Sequence, residues 1–334
     1  MRPVLRPSLV NGRYGDPALY IEAMFERRAF MLDLGDITPL WPRKLLRLEH
    51  IFVSHTHIDH FVGFDRLLRV LVGRDTKINL YGPAGFIDQV GHKLQAYCWN
   101  LANRYLSDLI FVVTEIDSSH RTKTARFRLK SGFRREEVDA GCLVEATLHN
   151  EPAFRVRTAI LEHYTPSLGF AIEEAAHVNV WKNRLADMGI PVGPWLRELK
   201  RAVIDNRPAD YPITIGSPQG TSGGRVLPLA ALRPALTVTA GQKIAYVTDV
   251  ADTIASREAI VRLARNADLL FIEAAFAQAD AALAAESGHL TTLAAGQIAR
   301  QAKARNVEPF HFSPRYVGEE ERMLKEVMAA FRAA

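Results

Sequence analysis

The chain lacks the features that define several large classes of protein. It has only two cysteines, Cys98 and Cys142, among 334 residues. Two cysteines exclude a disulfide scaffold or a cysteine-rich zinc module, and they fit a reducing compartment. No uncharged apolar run reaches the roughly 18 residues of a membrane span, and the first residues hold no apolar core typical of a secretory signal. We therefore expect a cytoplasmic protein that does not cross a membrane.

Glycine-rich phosphate loops of the P-loop or dinucleotide-binding type are also absent from the sequence. The charge is only mildly basic, since 42 Lys and Arg against 37 Asp and Glu give +5. Seven of these cations fall between residues 121 and 135, where no acid occurs. Such a run suits a polyanionic partner. It is also typical of the solvated face of a hairpin.

The apolar pattern predicts an α/β protein. Strand-like runs such as HIFVSH at 50–55 alternate with helix-like spacing such as 61–73, and a middle stretch, about 109–174, is mostly β. We expect a single domain over residues 1–334, with sheets covered by helices. The proline-rich stretch 175–225 reads as an inserted excursion within that domain. Cys98 lies in an apolar, helix-like stretch, which predicts a buried thiol.

One segment carries most of the chemical signal, and it reads Ser54-His55-Thr56-His57-Ile58-Asp59-His60. On an extended stretch His55 and His57 point the same way, because side chains alternate along a strand. A lone histidine is more often a packing residue than a ligand, but four clustered donors are costly to bury without a partner. Imidazole with carboxylate suits zinc, manganese or iron. The segment therefore predicts a metal site.

A strand followed by HxHxDH resembles the signature of the metallo-β-lactamase superfamily. Asp33 in FMLDLGD resembles the structural aspartate that precedes this motif in the superfamily. Three further positions match later metal ligands of the superfamily, namely His163, Asp249 and His311. The resemblance runs from about residue 18 to 316. It implies a four-layer αβ/βα sandwich holding two divalent metal ions, which we expect to be zinc, with manganese or iron as alternatives.

The resemblance also implies how the ligands are shared. One metal would take His55, His57, His163 and Asp249. The other would take Asp59, His60, His311 and Asp249, so that Asp249 bridges the two. Asp59 could in addition hold and orient the nucleophile.

Within the superfamily, four further sequence segments resemble ribonuclease Z, the endonuclease that trims the 3′ end of precursor tRNA. These segments are EHYTPSLGF, HFSPRY, GIPVGPWLRELK and ESGHLTTLAAGQIA. The resemblance of the last segment implies that His289 is an extra active-site histidine, which either hydrogen-bonds the phosphate or protonates the leaving oxygen. Glu273 either orients His289 from behind or is an ordinary strand-end carboxylate.

Several cations are candidates for contact with a phosphate or an RNA backbone. Ser313 and Arg315 follow His311 directly, and an arginine fork fits phosphate oxygens. A salt bridge to the terminal helix is the competing interpretation of Arg315. In the excursion the candidate backbone contacts are Arg197, Lys200 and Arg201. Trp181 and Trp195 are either base-stacking residues or core anchors.

Three functions compete at this stage. The first is a ribonuclease Z-like endonuclease that acts on precursor tRNA, in a family whose members commonly form homodimers. The second is a sister hydrolase of a small phosphodiester or other ester. It is motivated by departures from the family pattern, such as Ile272-Glu273-Ala274-Ala275 and Leu290. The third is a nucleic-acid-binding protein without catalysis, which the complete ligand set argues against.

Overall fold

The structure is a computed structural model that describes residues 5–24, 26–216 and 224–333. The chain divides into two units. Unit 1 comprises the described residues of Met1–Asn150, Arg155–Ile172 and Gln242–Ala334, and unit 2 comprises Glu151–Phe154 and those of Glu173–Gly241. Whether the whole chain acts as one domain stays a prediction.

The first sheet of unit 1 has eight strands in the spatial order of the chain. Its middle strands, β3 to β6, run parallel to one another, and antiparallel strands flank them on both sides. The strands are β1 (Leu5–Leu9), β2 (Leu19–Ala23), β3 (Ala29–Leu32), β4 (Leu48–Phe52), β5 (Thr76–Pro83), β6 (Leu109–Ile116), β7 (Arg121–Arg128) and β8 (Arg135–Cys142).

The second sheet has six strands in the order β18-β17-β16-β11-β10-β9. Its last three strands along the chain run parallel to one another. The strands are β9 (Thr147–Asn150), β10 (Phe154–Leu161), β11 (Ser167–Glu174), β16 (Lys243–Val247), β17 (Leu269–Glu273) and β18 (Val307–Phe310).

Helices cover one face of each sheet. Leu67 and Val90 belong to a core between the first sheet and its helices, and Ile260 and Val327 belong to a core on the second sheet. The opposite faces meet, as Phe52 and Phe170 do with ring centroids 5.6 Å apart. This arrangement is the predicted αβ/βα sandwich. The helices of unit 1 are α1 (Pro42–Leu45), α2 (Ile58–Phe61), α3 (Phe64–Leu71), α4 (Phe86–Gln95), α8 (Ile254–Ala264), α9 (Ala281–Ser287), α10 (Thr292–Gln301) and α11 (Glu320–Arg332).

Unit 2 has its own small core, and the predicted excursion lies largely within it. Its elements are β12 (His177–Val180), α5 (Lys182–Asp187), α6 (Leu196–Ile204), β13 (Pro212–Ile215), β14 (Arg225–Pro228), α7 (Leu229–Leu232) and β15 (Leu236–Thr239). Strand β12 pairs with β15, and β13 pairs with β14. Part of the excursion, residues 217–223, lies outside the described residues. Trp195 is buried in this core, as expected of a core anchor, whereas Trp181 is 46% exposed.

The basic run at 121–135 is largely paired with acids. It forms β7 and the start of β8, in a hairpin where Arg126 lies 2.9 Å from Glu136. Arg128 pairs in the same way with Asp108, at 2.7 Å. The run is therefore mostly an ion-paired hairpin face, in line with the second interpretation of the charge pattern.

The helix expected over 61–73 is confirmed in its main part as α3, whereas Phe61 ends the separate helix α2. The prediction for Cys98 was wrong. Cys98 is exposed rather than buried, since α4 ends at Gln95 and the thiol lies beyond it.

Among the described residues, no helix has both the length and the apolar character needed to span a bilayer.

His50 is a buried histidine that the fold keeps neutral. It is only 5% exposed, and its ring lies nearly parallel to those of Phe52 and Tyr81, with centroids 6.2 and 6.0 Å away. Burial, together with the neighbouring His149, lowers the pKa of His50 to about 3. The unfolded chain takes up a proton at this residue below about pH 6.5, while the folded chain does so only near pH 3. Stability is therefore lost as the pH falls from 6.5 toward 3.

Through His50, the free energy of unfolding of the wild type should fall by about 2 kcal/mol between pH 7 and pH 5. We predict that His50→Phe abolishes this part of the fall. Urea unfolding of chelator-treated protein at the two pH values measures the difference. The exposed His92 provides the control, because His92→Phe should keep the wild-type loss. An equal loss in all three proteins would contradict the assignment.

Candidate metal centre

The parallel strands bring the sequence-predicted donors to one edge of each sheet. In the first sheet Leu32 pairs with Phe52, so that Asp33 and Ser54 both follow strand ends. In the second sheet Glu273 pairs with Phe310, which places His311 directly after β18. Because parallel strands end at the same edge, residues from distant parts of the chain meet there.

Three residues at this edge have positive φ values. They are Asp33 (58°), Asp249 (42°) and His311 (57°), and each comes just after a strand. Left-handed backbone is uncommon outside glycine, although Asp and His adopt it more readily than most residues. Such conformations cost about 1–3 kcal/mol each and cluster at functional sites. The local strain turns the chain sharply where the donors must converge.

Gly35 allows the HxHxDH segment to pack against the end of β3. A Cβ at this position would lie 2.6 Å from the Asp59 carbonyl oxygen and 2.8 Å from that of Pro17. Neither backbone atom can give way cheaply. The Leu34 amide donates to the His60 carbonyl at 2.8 Å, which joins the two segments. The glycine thus sets the place of Asp59 and His60 relative to Asp33.

Asp249 lies at the centre of the donor cluster and is 3% exposed. Its Oδ2 lies 3.6 Å from His55 Nε2 and 3.7 Å from His163 Nε2. Its Oδ1 lies 3.4 Å from His60 Nε2 and 3.0 Å from His311 Nδ1. Each carboxylate oxygen therefore faces a different pair of imidazoles, which is the arrangement expected of a bridging ligand.

The remaining donors complete two groups. In the first, ligand atoms of His55, His57, His163 and Asp249 all lie within 4.8 Å of one another. In the second, ligand atoms of Asp59, His60 and His311 do so, with Asp59 Oδ2 3.4 Å from His60 Nε2 and 3.5 Å from His311 Nε2. The structure thus brings together all seven donors named from the sequence. The first group is the first implied set, the second group lacks Asp249, and a further group joins Asp249 and His311 to Glu273 and His289.

The outer ring nitrogens of three histidines are held by other groups. His60 Nδ1 lies 2.9 Å from Asp33 Oδ2, and His163 Nδ1 lies 3.0 Å from the Gly288 carbonyl oxygen. His55 Nδ1 lies 3.1 Å from Ser54 Oγ. These contacts fix the ring orientations and direct each Nε2 inward, as neighbouring acceptors do for histidines that bind metal.

Several inward-facing nitrogens are buried without a hydrogen bond. They are His55 Nε2, His60 Nε2 and His311 Nδ1. An unsatisfied buried polar group costs about 1–3 kcal/mol, and three of them around one carboxylate are not stabilised by protein contacts alone. The donor set, imidazoles with two carboxylates, is one that divalent cations such as zinc prefer. The residues present therefore fit metal ions.

Charge states in the cluster respond to burial and to neighbouring charge. Burial, with the adjacent His60, lowers the pKa of His55 to about 2. Burial also works against protonation of His311, but Asp249 raises the pKa of that ring to about 10. His311 and His60 in turn hold the pKa of Asp249 well below its usual range, despite its burial. Protons on these histidines thus supply part of the positive charge that a bound metal cation would supply. Metal binding must release these protons.

Glu273 and His289 meet beside the cluster. Glu273 is fully buried, and its Oε2 accepts from His289 Nδ1 at 2.9 Å. Its Oε1 accepts from the Val250 amide at 2.7 Å, directly after Asp249. His289, His311 and Asp59 line an open cleft of about 310 Å³, whose walls include the rings of Tyr14 and Phe276. The cleft leads from solvent to the donor cluster.

The candidate phosphate contacts lie in different places. Ser313 lines the cleft. The Arg315 guanidinium lies 5.6 Å from the Phe276 ring centroid and 4.0 Å from Asp280, so that its acidic neighbour is on a short turn and not on the terminal helix. Arg197, Lys200 and Arg201 are exposed on α6 of unit 2. Their contact with substrate stays a prediction.

Sequence reasoning missed three residues that support the site. Tyr246 donates to Asp33 at 2.8 Å, and Thr248 donates to Asp249 Oδ1 at 2.8 Å. Tyr246 lies on the buried strand β16 and Thr248 directly follows its end, and the two-residue spacing of the hydroxyls was the available signal. Gly288 ends α9 with φ of 67° and presents its carbonyl to His163. Its signal was a glycine at a helix end directly before a functional histidine.

Comparison with solved structures identifies the fold. A metallo-β-lactamase fold protein of Bacillus subtilis, YhfI, aligns with a TM-score of 0.53 and 15% identity over 97% of this chain and 92% of its own. The short form of human tRNase Z aligns with a TM-score of 0.52 and 19% identity over 94% and 92%. The fold and the converging donors define a metallo-β-lactamase-fold protein.

Sequence relatives identify the family to which the chain belongs within this fold class. Ribonuclease Z of Deinococcus radiodurans is 32% identical over 311 residues, which are 91% of this chain and 88% of the relative. Ribonuclease Z of a Synechocystis species is 30% identical over 293 residues, which are 87% and 74% of the two chains. No family model matches the sequence. The chain belongs to the ribonuclease Z family.

We predict that Asp249→Asn lowers the metal content from about two ions per chain to fewer than one, because both groups share this carboxylate. His57→Ala should retain about one ion, since His57 belongs to the first group only. Elemental analysis after dialysis measures the stoichiometry. Asp252→Asn is the control, because Asp252 pairs with Arg257 outside both groups. Two ions retained by Asp249→Asn would contradict the shared ligand.

Proposed function

We propose that this chain is an endonuclease that removes 3′ extensions from precursor tRNA. One observation carries the proposal, which is that the chain matches ribonuclease Z over nearly its full length. In addition, two of the seven converging donors, Asp59 and His311, line a cleft open to solvent. Family membership supports the substrate class, and the cluster supports phosphodiester hydrolysis.

We propose that the ions are zinc, held by the two ligand groups that share Asp249. Manganese and iron remain alternatives for the same donors. Two such ions, when bound, supply a water of lowered pKa and charge that neutralises phosphoryl oxygens. The protein supplies the rest of the chemistry through its own side chains.

Asp59 is placed to orient the attacking water. Its side chain is 37% exposed, and it lines the cleft beside His311. Although burial opposes ionisation, the neighbouring His311 and His60 rings hold the pKa of Asp59 far below its usual range. The carboxylate therefore stays an acceptor at neutral pH, which suits the alignment of a water against the scissile phosphate.

His289 is placed to donate a proton to the leaving oxygen. Its Nδ1 is engaged by Glu273, so that Nε2 is the nitrogen left for substrate. Burial disfavours the protonated ring, but the Glu273 carboxylate raises the pKa of His289 above its usual value. A proton held there can be delivered to the 3′ oxygen as the phosphodiester bond breaks.

The exposed cations of α6 are our candidates for contact with the RNA backbone. Arg197, Lys200 and Arg201 fall at spacings that put them on one side of the helix. The support is their charge and exposure, because phosphate contacts dominate RNA affinity. We propose in addition, from the family resemblance and the cysteine content, that the enzyme works as a homodimer in the cytoplasm.

We predict that Glu273→Gln and His289→Ala each lower kcat by about 10²–10⁴-fold with little change in KM. The side-chain NH2 of the glutamine would replace one of the two accepting oxygens of Glu273, so that an N–H donor would face either His289 Nδ1 or the Val250 amide. If the two residues act as a unit, the double variant should be no slower than His289→Ala. Glu326→Gln is the control, because Glu326 also accepts two hydrogen bonds, from Thr292 and Gln278, outside the cluster. A double variant far slower than either single one would contradict the pairing.

The test of function is cleavage of a 3′-extended precursor tRNA, with both product ends mapped. Wild type and His57→Ala are compared with zinc and with manganese. A single cut near the end of the acceptor stem, lost in the variant, is the expected result. Intact RNA from protein that holds its metal, together with turnover of small phosphodiesters, would overturn the proposal in favour of a small-ester hydrolase.

A further inference from the structure

Tyr246 lies at the boundary between the two sheets of unit 1. It is fully buried on β16, three residues before Asp249. Its hydroxyl donates to Asp33 Oδ2, at the end of β3 in the other sheet, with a distance of 2.8 Å. Its ring stacks on Phe310 with centroids 5.1 Å apart, directly before His311. One side chain therefore touches the neighbours of two predicted ligands, His60 and His311, and lies three residues before a third, Asp249.

We propose that Tyr246 is a positioning residue of the metal centre. Its hydroxyl holds Asp33 in the orientation that fixes His60, and His60 thereby presents Nε2 to the second ligand group. The inference rests on the proposed metal binding and adds a residue that neither the family resemblance nor the motifs assign.

Asp33 is stabilised by hydrogen bonds and by the adjacent His60 ring. It is fully buried, and among the described residues no lysine or arginine forms an ion pair with it. Its Oδ1 accepts from the Ser54 amide at 2.6 Å. Its Oδ2 accepts from Ser54 Oγ at 2.9 Å, from His60 Nδ1 at 2.9 Å and from the Tyr246 hydroxyl. A buried carboxylate with no lysine or arginine partner depends on each of these donors.

The effect of the hydroxyl reaches the metal through His60. The same Asp33 oxygen that accepts from Tyr246 also accepts from His60 Nδ1. That contact sets the tautomer in which Nε2 is free, and it fixes the ring plane. Loss of such an outer contact typically weakens metal binding by about 10–100-fold. Loss of the Tyr246 hydroxyl should therefore act on the second group and spare the first.

The alternative is that Tyr246 merely fills the core. Tyr246→Phe separates the two roles, because the ring and its stacking on Phe310 remain. Tyr20→Phe is the matched control. Tyr20 is also buried, at 1% exposed, and its hydroxyl donates to the Lys44 carbonyl at 3.2 Å, outside both ligand groups. Each variant loses the hydroxyl of one buried tyrosine, and each of these hydroxyls donates one hydrogen bond in the wild type.

The experiment is competition for zinc between each protein and a chromogenic chelator, with cobalt absorption spectra as a second readout. Wild type should bind two ions. Tyr246→Phe should bind one ion with wild-type affinity and the other about 10–100-fold more weakly, with altered cobalt ligand-field bands. Tyr20→Phe should match wild type in both readouts.

Ser54→Ala provides an independent variant should Tyr246→Phe fail to fold. It removes another donor to the same Asp33 oxygen, so weaker binding at the second group is expected, and the first group should weaken as well because Ser54 Oγ also lies 3.1 Å from His55 Nδ1. Wild-type affinity and spectra in a folded Tyr246→Phe protein would overturn the inference and leave the proposed function standing. If Tyr246→Phe selectively loses one ion but the wild type cuts no tRNA, the proposed function is overturned and the inference stands.

Discussion

The structure depends on one buried carboxylate that is surrounded by imidazole rings. Asp249 is nearly inaccessible to solvent and has an imidazole pair on each of its two oxygens. Buried charge of this kind is costly unless a partner is supplied. Protons shared with the surrounding histidines supply part of that balance in the metal-free protein, and divalent cations fit the rest. The strand ends, the strained turns and the outer hydrogen bonds all serve to bring these groups together.

The same constraint explains why the supporting residues are placed as they are. Donors from four separate segments must meet within a few ångströms, so their rings need outer contacts that fix their orientation. Asp33, Ser54 and the Gly288 carbonyl supply these contacts. Glu273 gives His289 the same kind of support on the cleft side. In the metal centre and in the Glu273–His289 pair alike, one ring nitrogen of a histidine contacts a neighbouring polar group, and the other ring nitrogen is left to face the donor cluster or the cleft.

Much of this could be predicted from the sequence, because the informative residues are local or match a known pattern. The HxHxDH segment predicts the metal site by its composition, and the α/β alternation predicts the layered fold. Strand β8 is not predicted, since it is an exposed and charged edge strand whose pairing comes from β7 and not from its own apolar pattern. Tyr246 is not predicted because its partner, Asp33, lies 213 residues away. Long-range polar contacts between strands leave little trace in one sequence.

The most direct test of the central claim is a crystal structure of the zinc-loaded protein, with anomalous scattering recorded on both sides of the zinc edge. The account predicts two anomalous peaks, one among His55, His57 and His163 and the other among Asp59, His60 and His311. Asp249 should contact both. A single peak, or two peaks of which one lies away from Asp249, would contradict the claim that this buried carboxylate is the shared ligand on which the site is built.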